Sequence, residues 1–283
     1  MAPLAHVVHY TDPGCPFAWN AEPLLRLLEW RYGDQLSWEH VMVGLADTPE
    51  VYAAKGFTPE LMNAGWKDFG ENHDMPIDQE PRDRVGATGP ACIAVVAAQL
   101  HAPDKSFALL RALRVRFFSE GYLDDPALIG RAAEDAGIDP QQLAAWREAD
   151  DTLSIYADHV RRARNPSPEA LAQNDRLADW EGGRRYTCPS LEITRESDSL
   201  HLAAPGFQPK QAYEVLMGNV LPEARQRPAA DSVDEVLAWA PFALATAEVA
   251  AVRGITVDQA RDELTAAGAT ELKLANDAFW SAA

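Results

Sequence analysis

Cys15-Pro16 stands in the segment Asp12-Pro13-Gly14-Cys15-Pro16-Phe17-Ala18-Trp19, directly after an apolar run over residues 5–10 and directly before a helical pattern. A cysteine on a strand-to-helix turn lies at the positive end of the helix dipole. That lowers the thiol pKa, and only the thiolate is a nucleophile. After the turn, Leu24, Leu25, Leu27, Leu28 and Trp30 recur at helical spacing, and Tyr32-Gly33-Asp34 closes the helix. Residues 36–43 then carry apolar side chains at alternate positions, the pattern of a second strand. Strand, helix and parallel strand open an α/β sheet. Position 18, where a Cys-x-x-Cys pair would hold its resolving thiol, is alanine. Such a site starts thiol chemistry and must finish it elsewhere.

Composition narrows the setting. The chain has 283 residues, enough for about two domains, and 47% of them are hydrophobic, ample for a buried core. No apolar run approaches the ~18–20 residues needed to span a bilayer. The first residues, Met1-Ala2-Pro3-Leu4-Ala5-His6, have no basic segment or apolar signal core, so export is not expected. Three cysteines, an odd number, argue against a structural disulfide framework. These features point to the cytoplasm. A net charge of −18 disfavours nucleic acid and anionic membranes as partners.

Residues 49–182 read as a long, mostly helical insertion. Helical patterns cover 49–56, 58–70, 90–100, 105–120, 126–136, 140–149, 151–164 and 167–180, and Thr58-Pro59-Glu60 offers an N-cap with proline at the first helical position. A looser stretch, 71–84, contains His73, which could reach a substrate groove or lie on the surface. Beyond Pro228, three short helices over 234–239, 246–252 and 256–267 precede a strand at 271–274 and the pair Phe279-Trp280, an order that suggests a small winged-helix-like module. Residues 232–283 hold eight acidic and three basic residues, which argues against DNA binding and for packing or homodimer formation.

Further motifs lie downstream. Tyr186-Thr187-Cys188-Pro189-Ser190 precedes a strand at 191–194, a short turn and a second strand around residues 200–202. Gly206-Phe207-Gln208-Pro209 then leads into an amphipathic helix at 210–221. Together with Asp12 to Phe17 and Leu113-Arg114-Val115-Arg116-Phe117-Phe118-Ser119-Glu120-Gly121, these segments resemble the DsbA family. The nearest branch is the cytosolic one of FrnE-like oxidoreductases and their hydroxychromene-carboxylate isomerase and kappa-class glutathione transferase relatives. The resemblance spans roughly residues 5–221. It implies an α/β, thioredoxin-like fold whose core comprises residues 1–48 and 183–228, with the helical insertion at 49–182 as a lid; the small C-terminal module at 229–283 lies beyond the resemblance. The resemblance makes Cys15 the nucleophile and Pro189 a cis-proline shaping the substrate groove. Thr187, Asp12, Pro16, Phe17 and Trp19, close to these two in sequence, are expected to line that groove. Asp12 could tune the thiol or cap the turn.

Two departures from the family pattern bear on function: Ala18 replaces the second cysteine, and Cys188 precedes the proline. Cys188 is either a resolving thiol relocated from position 18 or a small packing residue. Cys92, within an apolar helical run, reads as core. A metal site built on Cys15, Cys188 and a histidine would lack close Cys-x-x-Cys spacing, and none is expected.

Three functions fit. The first is a thiol-disulfide oxidoreductase acting on protein or small-molecule disulfides. It would have no tightly bound cofactor, and Cys188 or a low-molecular-weight thiol such as glutathione or mycothiol, used as co-substrate, would resolve Cys15. The second is a glutathione- or mycothiol-dependent isomerase or transferase, whose relatives carry serine where this chain has Cys15. The third is a non-catalytic protein adaptor with a degenerate redox motif.

Overall fold

The computed structural model describes residues 2–274 and 276–283, which divide into two compact units. The first unit comprises residues 1–18, 34–57 and 85–223. Its centre is a four-stranded sheet of β1 (Ala5–Thr11), β2 (Leu36–Met42), β5 (Ser190–Arg195) and β6 (His201–Ala204), in the order β2-β1-β5-β6. β1 runs parallel to β2 and antiparallel to β5, and β5 runs antiparallel to β6. A strand paired on both sides has no edge to expose, and β1 is accordingly apolar, with Ala5, Val7 and Tyr10 buried.

Register decides where the two cysteine segments meet. Tyr10 stands opposite Ser190, and His9 opposite Leu191. The chain that leaves β1 into Asp12–Cys15 therefore emerges beside the chain that enters β5 from Thr187-Cys188-Pro189.

Helices complete this unit: α3 (Pro49–Ala54), α5 (Gly89–His101), α6 (Pro103–Glu120), α7 (Pro126–Asp135), α8 (Pro140–Arg147), α9 (Asp150–Ala163), α10 (Pro168–Leu171) and α11 (Lys210–Val220). Proline opens α3, α7, α8 and α10, where its missing N–H would have no intrahelical partner. Asp125, Asp139 and Ser167 cap the last three with side-chain oxygens.

The helix expected over 167–180 is corrected by the structure. α10 lasts one turn, and β3 (Ala178–Trp180) pairs with β4 (Gly183–Arg185) as a hairpin. Gly183 turns it at φ 129°, and the Arg184 guanidinium ties its base to the Leu177 carbonyl at 2.7 Å.

The second unit comprises residues 19–33, 58–84 and 224–283. Residues 58–84 thus cluster apart from the rest of the 49–182 segment with which the sequence reading grouped them. α2 (Glu22–Tyr32) and α4 (Pro59–Asn72) join α12 (Val233–Trp239), β7 (Leu244–Ala245), α13 (Thr246–Arg253), α14 (Val257–Ala266), β8 (Thr270–Leu274) and β9 (Asp277–Ser281). The C-terminal strands order as β7-β9-β8, so helix, short strand, two helices and hairpin follow the winged-helix plan. Asn276 staples the loop after α4: its Oδ1 accepts from the Ile77 amide at 2.8 Å and its Nδ2 donates to the Met75 carbonyl at 3.2 Å. The Trp30 indole donates to the Pro228 carbonyl at 2.6 Å, and its ring packs in the core with Val236, Val249 and Trp280. α1 (Pro16–Asn20) carries the chain from the first unit into the second.

Arg26 is buried in this second unit beside three carboxylates, those of Glu22, Glu29 and Glu248. Glu29 is pushed up to about 7 by burial; Arg26 opposes this, and the charges of Glu22 and Glu248 add to it. A carboxyl whose folded pKa lies above its unfolded value stabilises the fold at low pH and loses that contribution as pH rises through the folded value. Stability is therefore expected to fall by on the order of 1–3 kcal/mol between about pH 4.5 and 7. Urea denaturation across that window checks this: the slope should flatten in Glu29→Gln.

No helix among the described residues is long and apolar enough to cross a membrane.

Candidate active site

The turn Asp12–Cys15 is built around a buried carboxylate. Asp12 Oδ1 accepts from the Gly14 amide at 2.9 Å. Oδ2 accepts from the Leu45 amide at 3.0 Å, the Thr88 hydroxyl at 3.0 Å and the Cys92 thiol at 3.3 Å. Four donors on two oxygens suit a carboxylate with no access to water, and Asp12 has none. Burial still raises its pKa above the usual carboxylate range, with the four hydrogen bonds opposing. Gly14 is required for the turn to close: a Cβ there would sit 2.5 Å from Thr88 Cγ2.

Cys15 and Cys188 meet at the end of the sheet. As a thiol, Cys15 donates to the Cys188 carbonyl at 3.3 Å. As a thiolate, it accepts a hydrogen bond from the Cys188 thiol, the main reason its pKa lies below the ordinary thiol value. Burial opposes this, the Ala18 amide adds to it, the Asp12 charge opposes it and the Phe17 amide adds again. Cys188 moves the other way, well above the ordinary value, through burial first and then the hydrogen bond and charge of Cys15. The pair therefore loses its first proton more readily from Cys15 than from Cys188. Each is 6% exposed, enough for a reagent to reach and too little for water to solvate the charge fully. The Cys188–Pro189 peptide bond is cis.

Tyr10 and Tyr186 stack at 3.9 Å within the same cluster as the two cysteines, and both hydroxyls donate to Glu192. Thr187 Oγ1 donates to the Arg176 carbonyl at 2.8 Å, holding the loop that carries Cys188. Phe17 is exposed, half-buried Pro16 precedes it, and the Phe17 ring lies 6.2 Å from that of Phe207. Phe17, two residues after Cys15, and Phe207 thus form an exposed aromatic pair, while Pro189 is buried.

Two of the residues assigned to the groove are elsewhere. Asp12 lies entirely beneath the turn, because its four donors leave no oxygen facing outward. Trp19 is fully buried in the second unit, where its indole donates to the Pro76 carbonyl at 2.8 Å and its ring faces Phe279. His73 also belongs to the second unit and stacks on Phe69. Cys92 is core, and burial followed by the Asp12 charge raises its pKa well above the ordinary value. Its bond to Asp12 had no local signal, since α5 and the turn are far apart in sequence.

A thioredoxin family model matches residues 9–165, more than half of the chain. The chain belongs to the thioredoxin family. Among solved structures, a candidate protein disulfide isomerase from Nitrosomonas europaea superposes with a TM-score of 0.58 at 20% identity, covering 77% of this chain and 98% of that one. The cytosolic disulfide reductase DsbM from Pseudomonas aeruginosa gives 0.51 at 16% identity, covering 76% and 98%. At these identities the likeness is one of fold, a thioredoxin-like α/β fold with many helices. The ClpXP adapter protein SpxH of Halalkalibacterium halodurans is 26% identical over 141 residues, 47% of this chain and 46% of the relative. This thioredoxin-family chain therefore spans about half the length of that curated relative.

Proposed function

We propose that this protein is a cytoplasmic, DsbA-like thiol-disulfide oxidoreductase of the FrnE-like branch, with Cys15 as nucleophile and Cys188 as resolving thiol. The observation that carries this reading is the meeting of two buried cysteines in one cluster, with the Cys15 thiol 3.3 Å from the Cys188 carbonyl; the opposite pKa directions of the two thiols agree with it. The Cys15 thiolate attacks a disulfide RS–SR′; a Cys15–SR bond forms and R′S⁻ leaves. Cys188 then gives up its proton and attacks Cys15 Sγ, forming Cys15–Cys188 and expelling RS⁻, which takes that proton. Two equivalents of a low-molecular-weight thiol such as glutathione or mycothiol return both cysteines to thiols and leave as one disulfide. A solved structure of the DsbM reductase carries glutathione, which supports a small thiol as co-substrate.

The adaptor reading has one observation in its favour, the SpxH relative. Mild oxidation, non-reducing digestion and mass spectrometry separate the two. A Cys15–Cys188 peptide together with turnover of 2-hydroxyethyl disulfide is the expected result. An unmodified Cys15 with no turnover would establish the adaptor instead.

The role of Cys188 has its own signature. A hydrogen bond to a charged group is worth about 1.5–3 kcal/mol. Cys188→Ala should therefore move the alkylation inflection of Cys15 up towards the ordinary thiol value and slow alkylation at pH 7 by about tenfold. The same variant should accumulate a mixed disulfide on Cys15, visible as a mass adduct during turnover. An unchanged inflection would leave Cys188 as packing alone.

A further inference from the structure

Three cations from three distant segments converge beside the thiols. Lys55, directly after α3, donates from Nζ to the Leu45 carbonyl at 3.3 Å. Arg164, directly after α9, donates to the Val43 carbonyl at 3.2 Å and the Val160 carbonyl at 3.0 Å. Arg185, the last residue of β4, donates to the Tyr186 carbonyl at 2.8 Å. Val43 and Leu45 pack in the cluster that holds Cys15 and Cys188, and the Leu45 amide is bound to Asp12. The three side chains therefore stand on the loop and strand that frame the two sulfurs.

Their electrostatics agree with their placement. Arg185 acts on Cys188, lowering a thiol that burial otherwise raises. Burial and then repulsion from Arg185 lower Lys55 and Arg164. Among the described residues all three donate only to backbone carbonyls, and no carboxylate lies within ion-pair distance of any of them. Asp47 is near enough to Arg164 to act on it, but its Oδ1 accepts from the Tyr156 hydroxyl. The Trp180 ring lies 5.6 Å from the Arg164 guanidinium. In a chain of net charge −18, where arginines such as Arg116, Arg162, Arg195 and Arg253 hold carboxylates, three mutually repelling and unpaired cations at one site mark a place for an anion.

We infer that Lys55, Arg164 and Arg185 form a substrate-selecting rim that favours disulfides carrying carboxylates close to the sulfur over neutral or cationic ones. The inference rests on the oxidoreductase reading and names the substrate class of that site. The rim places a substrate carboxylate beside Cys188 while Cys15 attacks the adjacent sulfur, and it disfavours thiols whose flanking groups are uncharged sugars or amines.

The test compares kcat/KM for 3,3′-dithiodipropionate, 2-hydroxyethyl disulfide and cystamine, with dithiothreitol as reductant. The wild type should prefer the dianion to the dication by roughly tenfold or more, the scale of one or two charge contacts near a surface. Arg185→Gln and Lys55→Gln should each reduce that ratio several-fold, and 0.5 M salt should compress it in the wild type. Lys55 is exposed, so its variant keeps the test open if Arg185→Gln does not fold. A ratio unchanged in the folded variants overturns the rim. If the wild type turns over none of the three disulfides, the oxidoreductase reading fails first. The rim is then judged by the rates at which iodoacetate and iodoacetamide alkylate Cys15: a ratio that falls in Lys55→Gln supports it, and a constant ratio overturns it.

Discussion

Cys15→Ser is expected to abolish disulfide reduction, with a loss of ~10³-fold or more in turnover of 2-hydroxyethyl disulfide. The size of the effect follows from how the three sulfurs are placed. A serine hydroxyl at position 15 would keep the hydrogen bond to the Cys188 carbonyl, so the turn should survive, but it forms no bond to a substrate sulfur. Cys188 cannot take over, because burial, the largest cause of its raised pKa, remains when the Cys15 thiolate is gone. Cys92 cannot either: it has no exposed surface, its thiol is committed to Asp12, and its pKa is also raised. The variant should melt close to the wild type and give no intramolecular disulfide on oxidation. Turnover within a factor of two of the wild type would remove Cys15 from the chemistry altogether. A variant inactive on disulfides but still binding a protein partner would show that an adaptor role does not need the sulfur.

Legibility in the sequence followed the range of the interactions. The Cys15 turn was readable because its determinants are contiguous: an apolar strand, Asp-Pro-Gly, the cysteine and a helix opened by proline. The helices opened by Pro59, Pro126 and Pro140 were readable for the same reason. The 167–180 stretch was misread because its polar, alanine-containing pattern suits a helix locally, whereas Gly182-Gly183 and the Arg184 contacts impose a hairpin. Cys188 could be placed near Cys15 only through resemblance, since the physical cause is the β1–β5 register that sets Tyr10 against Ser190. The rim of Lys55, Arg164 and Arg185 left no pattern, because each is a single cation at the end of a different element. Trp19 was assigned to the groove by its closeness to Cys15 in sequence, but the helical turn between them carries it into the other unit.

The two conceivable effects of Asp12, tuning the thiol and building the turn, predict different outcomes. If Asp12 tuned the thiol it would have to favour the thiolate, yet its charge acts on Cys15 in the opposite sense. Its four accepted hydrogen bonds instead hold the turn to the loop at Leu45 and to the start of α5 at Thr88 and Cys92. Asp12→Ala should therefore destabilise the protein by about 3–5 kcal/mol. The Gly14 and Leu45 amides would lose their acceptor in a site without water, at about 1–3 kcal/mol each, and a cavity would add to that. The hydroxyl of Thr88 and the thiol of Cys92 can rotate to other acceptors, which keeps the total below four full losses. Relief of the buried charge offsets part of the cost. For a chain of this size that corresponds to a fall in Tm of roughly 10 °C. Reactivity should move the other way: in the fraction that remains folded, Cys15 loses a repelling charge, so its alkylation inflection should stay where it is or drop. Thermal melting and alkylation measured on the same preparation distinguish the roles. A large loss of stability with an undiminished thiolate identifies Asp12 as the residue that builds the turn. A rise in the inflection with little loss of stability would make it a tuning group acting through the turn geometry.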